Sequence, residues 1–183
     1  KVFDELKEWR RLPFVQIISN YYNHPVYISA LAKSVRAFWG EFEKPAKLIL
    51  SFHGIPKSYV TKGDPYEEQC LRTAALLSDE LSLGENECEV AFQSRLGRQE
   101  WLKPYTSEVL EELGAENLNS LDVLAPGFAV DCLETIDEIA REGRKKFQNA
   151  GGGGFRYIPA LNATDLHAET LSKIILSSWS KNV

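Results

Sequence analysis

The chain has 183 residues, 44% hydrophobic and 26% charged, enough for one ordinary globular core and too few for two. Average glycine and proline usage and the lack of an internal repeat exclude collagen-like, disordered and solenoid classes. With 21 Lys and Arg against 26 Asp and Glu, the net charge is −5 and no basic cluster stands out, so nucleic acid is not an expected partner.

Val2, Phe3, Leu6 and Trp9 fall at helical spacing and predict a first helix. Pro13 breaks it, and residues 14–18 read as a strand. Tyr27, Ile28, Leu31, Val35 and Phe38 predict a second helix from Pro25 to about Gly40. The apolar run over 47–52 suits a strand covered on both faces. Asp64-Pro65-Tyr66-Glu67 reads as a helix start, with Asp64 as cap and Glu67 completing a capping box, and Tyr66, Cys70, Ala74, Leu77 and Leu81 continue a buried stripe.

The alternation then repeats. Strands are predicted over 88–93, 121–125 and 155–158, and helices over 104–113 with Gly114 as its stop, over 131–147, and over about 164–179. Leu166, Leu171, Ile174, Ile175 and Trp179 are expected to face inward from the last helix, and the glycines at 151–154 to form a flexible connection. The predicted fold class is α/β: one domain over 1–183, three-layer, a mostly parallel open sheet of about four strands with helices on both faces, the 14–18 strand being either an extra edge or part of a missing neighbour.

No apolar run approaches the ~18 residues of a membrane span. The charged amphipathic start does not read as a signal peptide, so a cytoplasmic protein, at most peripheral to a membrane, is expected. Cys70, Cys88 and Cys132 form no C-x-x-C pair and are expected as reduced thiols. The chain contains no Met, and we expect it to be part of a longer protein.

In open parallel sheets the ligand crevice lies beyond the carboxyl ends of the strands. There the sequence supplies Ser51-Phe52-His53-Gly54-Ile55-Pro56, then Gln93-Ser94-Arg95-Leu96-Gly97, then Pro126-Gly127-Phe128 leading to Asp131-Cys132-Leu133-Glu134. At ~100° per residue, Asp131, Glu134, Glu138 and Glu142 share one helix face, with Cys132, Leu133, Ile136, Ile139 and Ala140 on the opposite, core-facing stripe. Two readings stand for the acidic row: a solvated face with Asp131 as cap, or carboxylates whose repulsion a divalent cation relieves. His53 is likewise open between a structural imidazole and a base. His24 and His167 lack acidic neighbours at ligand spacing and read as structural, and Cys132 reads as a buried thiol. The glycine run precedes a strand, unlike a dinucleotide fingerprint, and Walker A, G-x-S-x-G, H-E-x-x-H and EF-hand patterns do not occur in the sequence.

Ser51-Phe52-His53-Gly54-Ile55-Pro56 followed by Gly63-Asp64-Pro65-Tyr66 resembles the signature of the ferrochelatase family, the metal-inserting enzymes of haem biosynthesis. Phe92-Gln93-Ser94-Arg95-Leu96-Gly97 with Trp101-Leu102-Lys103-Pro104-Tyr105-Thr106, and Pro126-Gly127-Phe128 with Asp131-Cys132-Leu133-Glu134-Thr135, are similar to the next two family blocks in the same order. The resemblance runs from about Tyr22 to about Asn162. It implies the C-terminal half of an enzyme built from two similar α/β halves, with the N-terminal half as the missing partner and a porphyrin in the cleft between them. The implied activity is insertion of Fe²⁺ into protoporphyrin IX, giving protohaem and two protons. Carried over by position, His53 and Glu134 are the catalytic pair, His53, Glu134 and Glu138 the metal-handling residues with Glu142 extending the relay, and Ser94, Trp101 and Asp131 the porphyrin contacts. Cys132 stands where many relatives carry a His, so a second imidazole is not expected. Ferrous iron enters as substrate, and the C-terminal cysteine set by which some members hold a [2Fe-2S] cluster is not found in this sequence. The alternatives are a chelatase of the same fold acting on coproporphyrin or cobalt, and a non-catalytic porphyrin-binding half-domain.

Overall fold

Strand β1 (Lys47–His53) alternates Leu48, Leu50 and Phe52 on one face with Ile49 on the other, and all four side chains are buried, so both faces of the sheet must be covered. The computed structural model, which describes residues 1–179, satisfies this with an all-parallel sheet of order β2–β1–β3–β4, where β2 is Cys88–Gln93, β3 is Ser120–Leu124 and β4 is Gly154–Ile158. In chain order the helices are α1 (Val2–Leu6), α2 (Pro25–Glu41), α3 (Lys57–Thr61), α4 (Tyr66–Leu81), α5 (Thr106–Ala115), a π-helix (Glu134–Gly143) running directly into α6 (Arg144–Asn149), and α7 (Asp165–Trp179). Helices α2 and α4 close one face through Leu31, Val35 and Leu77. Helix α5, the π-helix and α6 close the other through Val109, Ile139 and Phe147. The expected α/β class and four-stranded parallel sheet are the observed ones.

The topology fixes where a ligand can sit. The chain steps from β1 outward to β2 and then crosses back to β3 on the other side, so the strand order reverses between β1 and β3. A crevice opens at the carboxyl ends of such a pair, because the following loops diverge to opposite faces. One buried charge braces the opposite part of the sheet. Asp122 of β3 accepts from Arg156 Nε at 2.7 Å and Nη2 at 3.0 Å and from Trp39 Nε1 at 2.9 Å, which satisfies a carboxylate that water cannot reach.

Several local expectations are corrected. Residues 14–18 form no strand: an isolated strand needs a ladder partner, and this segment lies instead against the end of α7. Phe14 meets Trp179 edge-on at 5.3 Å, and Gln16 Nε2 donates to the Ser178 carbonyl at 2.8 Å. In α7 the buried positions are His167, Thr170 and Ile174, whereas Ile175 and Trp179 are exposed. His167 and Thr170 can line that stripe because their polar atoms bond the carbonyls of Asn162 and Leu166, both at 2.7 Å. Asp64 accepts from the Tyr66 N–H at 3.0 Å, but its own N–H goes to the Tyr59 carbonyl at 3.1 Å, so the Glu67 half of the capping box has no donor to serve. The glycines after α6 form a pinned turn, since a Cβ at Gly152 would lie 2.4 Å from the Phe147 ring and one at Gly153 2.2 Å from the Asn119 carbonyl oxygen.

The largest departure is the helix expected over 131–147, which opens into ten residues of π-helix. Pairing i to i+5 widens the helix and turns each residue less about the axis. The 100° arithmetic therefore fails there: Ile136, expected in the core, is 51% exposed, while Ile139 is buried, and Leu133, also expected in the core, caps the helix and is 76% exposed.

Candidate active site

His53 is the last residue of β1 and is held from three sides. Its backbone carbonyl accepts the Tyr66 hydroxyl at 2.9 Å, its Nδ1 lies 2.7 Å from the Gly54 carbonyl, and its ring is flanked by Trp101 and Phe128 with centroids 6.5 and 6.3 Å away. A carbonyl oxygen only accepts, so the neutral ring carries its proton on Nδ1 and keeps the Nε2 lone pair free. Gly54 is required by close approach. A Cβ there would lie 2.9 Å from the Gln93 carbonyl oxygen and 3.2 Å from the Trp101 ring. Trp101 bridges Pro56 in antiparallel fashion, and its indole N–H is buried with no hydrogen-bond partner among the described residues.

Glu134 opens the π-helix with an exposed side chain. The interaction with Cys132, and then its own backbone N–H, hold its carboxyl below the usual glutamate range; a residual loss of hydration opposes this and the electrostatic influence of His53 adds to it. Glu134 is thus ionised at neutral pH and within the field of His53. Glu138 sits one step further along the helix and is clamped by Ser94, whose N–H and Oγ donate to its two carboxylate oxygens at 2.7 and 2.6 Å. Ser94 adopts a left-handed φ of 67°, a strained backbone retained where both of its donors are used. Glu142 is out at the surface, paired with Arg141 at 3.2 Å and Lys145 at 3.0 Å.

Asp131 does different work. Its carboxylate accepts from the Tyr157 hydroxyl and Asn162 Nδ2, both at 2.7 Å, and from the Ala160 N–H and Thr135 Oγ1, both at 3.2 Å. Partial burial pushes its pKa upward, but the donors from Asn162, Tyr157, Ala160 and Thr135 outweigh it and the net direction is down. Asn162 Oδ1 in turn accepts the Asp131 N–H at 2.8 Å. Asp131 thereby ties the start of the acidic helix to the loop between β4 and α7.

Of the residues singled out from sequence, the structure sets Trp101 beside the His53 ring, leaves the Glu134 carboxyl within the electrostatic reach of His53, pairs Glu138 with Ser94, and leaves Glu142 with Arg141 and Lys145. Among the described residues no three His, Cys, Asp or Glu side chains gather as a metal-binding group. His24 caps α2 by accepting the Val26 N–H at 3.3 Å, which is the structural role expected of it.

The model of the ferrochelatase family matches residues 1–178. The chain belongs to the ferrochelatase family. It is 50% identical over 171 residues to the ferrochelatase of Thioalkalivibrio sulfidiphilus, covering 93% of this chain and 46% of that protein. It is 46% identical over 189 residues to the ferrochelatase of a Psychrobacter species, covering 100% of this chain and 56% of that protein. The chain thus spans about half the length of the curated relatives it matches. Among solved structures, SirB from Bacillus subtilis with Fe³⁺ superposes with a TM-score of 0.58 at 14% identity, over 82% of this chain and 54% of that one, a likeness of fold.

Two residues of this ferrochelatase-family site escaped the sequence reading. Cys132 precedes the helix, is half-buried and helps to hold the Glu134 carboxyl ionised, so the core-facing phase assigned to it does not apply. Gln93 donates from Nε2 to the Glu134 carbonyl at 3.1 Å. Its signal was a polar residue closing a strand of otherwise half-buried and apolar positions. Among the described residues no helix is long and apolar enough to cross a membrane.

Proposed function

We propose that the protein to which this chain belongs is a protoporphyrin ferrochelatase, inserting Fe²⁺ into protoporphyrin IX to give protohaem with release of two protons. The observation that carries the reading, within a chain of this family, is His53 with its Nε2 left free by the Nδ1–Gly54 contact, within the electrostatic reach of an ionised Glu134, at the reversal point of the sheet.

Insertion requires removal of two pyrrole N–H protons while the metal sheds water. His53 Nε2 accepts the two protons one after the other, Glu134 stabilises each imidazolium formed, and each proton passes from His53 by way of the exposed Glu134 carboxylate to solvent, which returns the imidazole to its neutral form. Carboxylates are hard, exchangeable ligands that hold Fe²⁺ without trapping it. Glu138, with its orientation fixed by Ser94, and Glu142 beyond it suit delivery of the metal toward Glu134 and His53. Trp101 and Phe128 offer the apolar flank against which a macrocycle packs. Ser94 and Asp131 serve the porphyrin site through the carboxylate and the helix start they hold.

The N-terminal half of the protein is proposed to dock on the apolar surface that this chain leaves open, including Val2, Phe3, Leu12, Phe14 and Ile17, and to close the cleft. The same exposed surface favours a second reading for the chain on its own, a porphyrin- and metal-handling half-site without turnover. The protein is proposed to act in the cytoplasm. The test is anaerobic metal insertion by the full-length protein with protoporphyrin IX and coproporphyrin, each with Fe²⁺ and Co²⁺. Preference for Fe²⁺ with protoporphyrin IX is the expected result; preference for coproporphyrin or Co²⁺, or no insertion, would overturn it.

A further inference from the structure

Ser51, Gln93 and Thr106 are 0, 3 and 2% exposed, so three neutral polar side chains sit between the sheet and α5 away from water. Such a group costs stability unless every member is paired. Here Ser51 Oγ donates to Gln93 Oε1 at 2.8 Å, Ser51 Oγ and Thr106 Oγ1 are 2.8 Å apart, and Gln93 Nε2 donates to the backbone carbonyl of Glu134 at 3.1 Å.

Counting protons gives this chain one direction. The Glu134 carbonyl only accepts, so Gln93 must present its NH₂ there and its Oε1 to Ser51. The single Ser51 proton is then committed to Gln93, and Thr106 must donate to Ser51. A flipped Gln93 amide would set its oxygen against the Glu134 carbonyl oxygen. Thr106, Ser51 and Gln93 therefore form a one-way series of donors ending on the first residue of the π-helix.

The backbone of Gln93 reaches the other half of the pair. Gln93 lies opposite His53 in the parallel ladder, its carbonyl accepts the Gly54 N–H at 2.8 Å, and the Gly54 carbonyl takes His53 Nδ1 at 2.7 Å. One residue thus holds Gly54, whose carbonyl takes the His53 ring, with its main chain and the Glu134 carbonyl with its side chain.

We infer that Gln93 is a positioning residue that sets the spacing between His53 and Glu134 for metal insertion, an inference that rests on the function proposed above. Gln93 acts through Glu134. Truncating its side chain leaves the backbone route to His53 in place and releases only the Glu134 arm.

The experiment is a double-mutant cycle in the full-length protein, following anaerobic Fe²⁺ insertion into protoporphyrin IX by wild type, Gln93→Leu, Glu134→Asp and the combination. Glu134→Asp keeps a carboxylate one methylene short, so that a measurable rate remains. Gln93→Leu is expected to lower kcat about ten-fold, as slight misplacement of a reacting group does, with KM for porphyrin within about two-fold. In the Glu134→Asp background its effect should shrink below about two-fold, the non-additivity of two residues acting as one unit. An unchanged kcat, or equal fold-losses in both backgrounds, would overturn the inference. Should Gln93→Leu fail to fold, Ser51→Ala, which removes the group that orients the Gln93 amide, goes through the same cycle, and the same outcomes support or overturn the inference. A wild type that does not insert iron would instead refute the functional reading, which keeps the two failures apart.

Discussion

Asp131→Ala removes the acceptor for four donors at the start of the acidic helix, two of them at 2.7 Å. A hydrogen bond to a charged group is worth ~1.5–3 kcal/mol. Counting the two short bonds, and halving them because the site is partly open to water, gives an expected loss of about 1.5–3 kcal/mol. Asp131→Asn should cost less, about 1–2 kcal/mol, because one oxygen remains as acceptor while the new NH₂ faces the Asn162 donor. Urea unfolding of the full-length protein near neutral pH, read as a lower midpoint at unchanged slope, measures both. The pH dependence adds a second check. Asp131 has its folded pKa depressed, so its contribution is fully present above the ordinary aspartate range and is lost as pH falls through the lowered value. The gap between wild type and Asp131→Asn should therefore narrow on acidification. A neutral Asp131→Ala, or a gap that stays constant or widens as pH falls, would refute the assignment of Asp131 as an anchor.

Glu138→Gln keeps an oxygen for Ser94 but removes the charge, so steady-state kinetics should show KM for Fe²⁺ raised about ten-fold with KM for porphyrin within about two-fold, and an unchanged metal dependence would contradict the metal-delivery role. Gly54→Ala places a methyl against the Gln93 carbonyl and the Trp101 ring. The expected cost is about 1–3 kcal/mol of stability together with at least a ten-fold lower kcat, measured by thermal unfolding and insertion rate, and a wild-type rate would contradict the close packing argued for His53.

The sheet was legible because its strands are short, apolar on both faces and flanked by clear helix starts. The strand expected over 88–93 has those bounds, and that over 47–52 extends by one residue to His53. His53 was legible by place, as the imidazole ending a central strand. Glu134 was found by a helix-face calculation that does not hold for the helix it lies in. The widening of that helix was not legible, and neither was the hold on its first turn: Gln93 donates to the Glu134 carbonyl from a strand distant in sequence, a long-range contact with no local propensity to announce it. Asp131, Glu138 and Glu142 looked alike as a row of acids and differ only through partners distant in sequence, namely Tyr157 and Asn162 for Asp131 and Ser94 for Glu138. Residues 14–18 have a strand-like composition and no free ladder partner, which composition cannot reveal.

The central claim is that His53 carries the proton chemistry of metal insertion, and its most direct test is the full-length protein with His53→Ala, measured anaerobically by the loss of free-base protoporphyrin absorption on adding Fe²⁺. Turnover should fall by at least about 100-fold, the contribution of a positioned general base, while porphyrin affinity stays within about three-fold. Turnover retained within about ten-fold of wild type, with the protein folded and porphyrin bound, would contradict it.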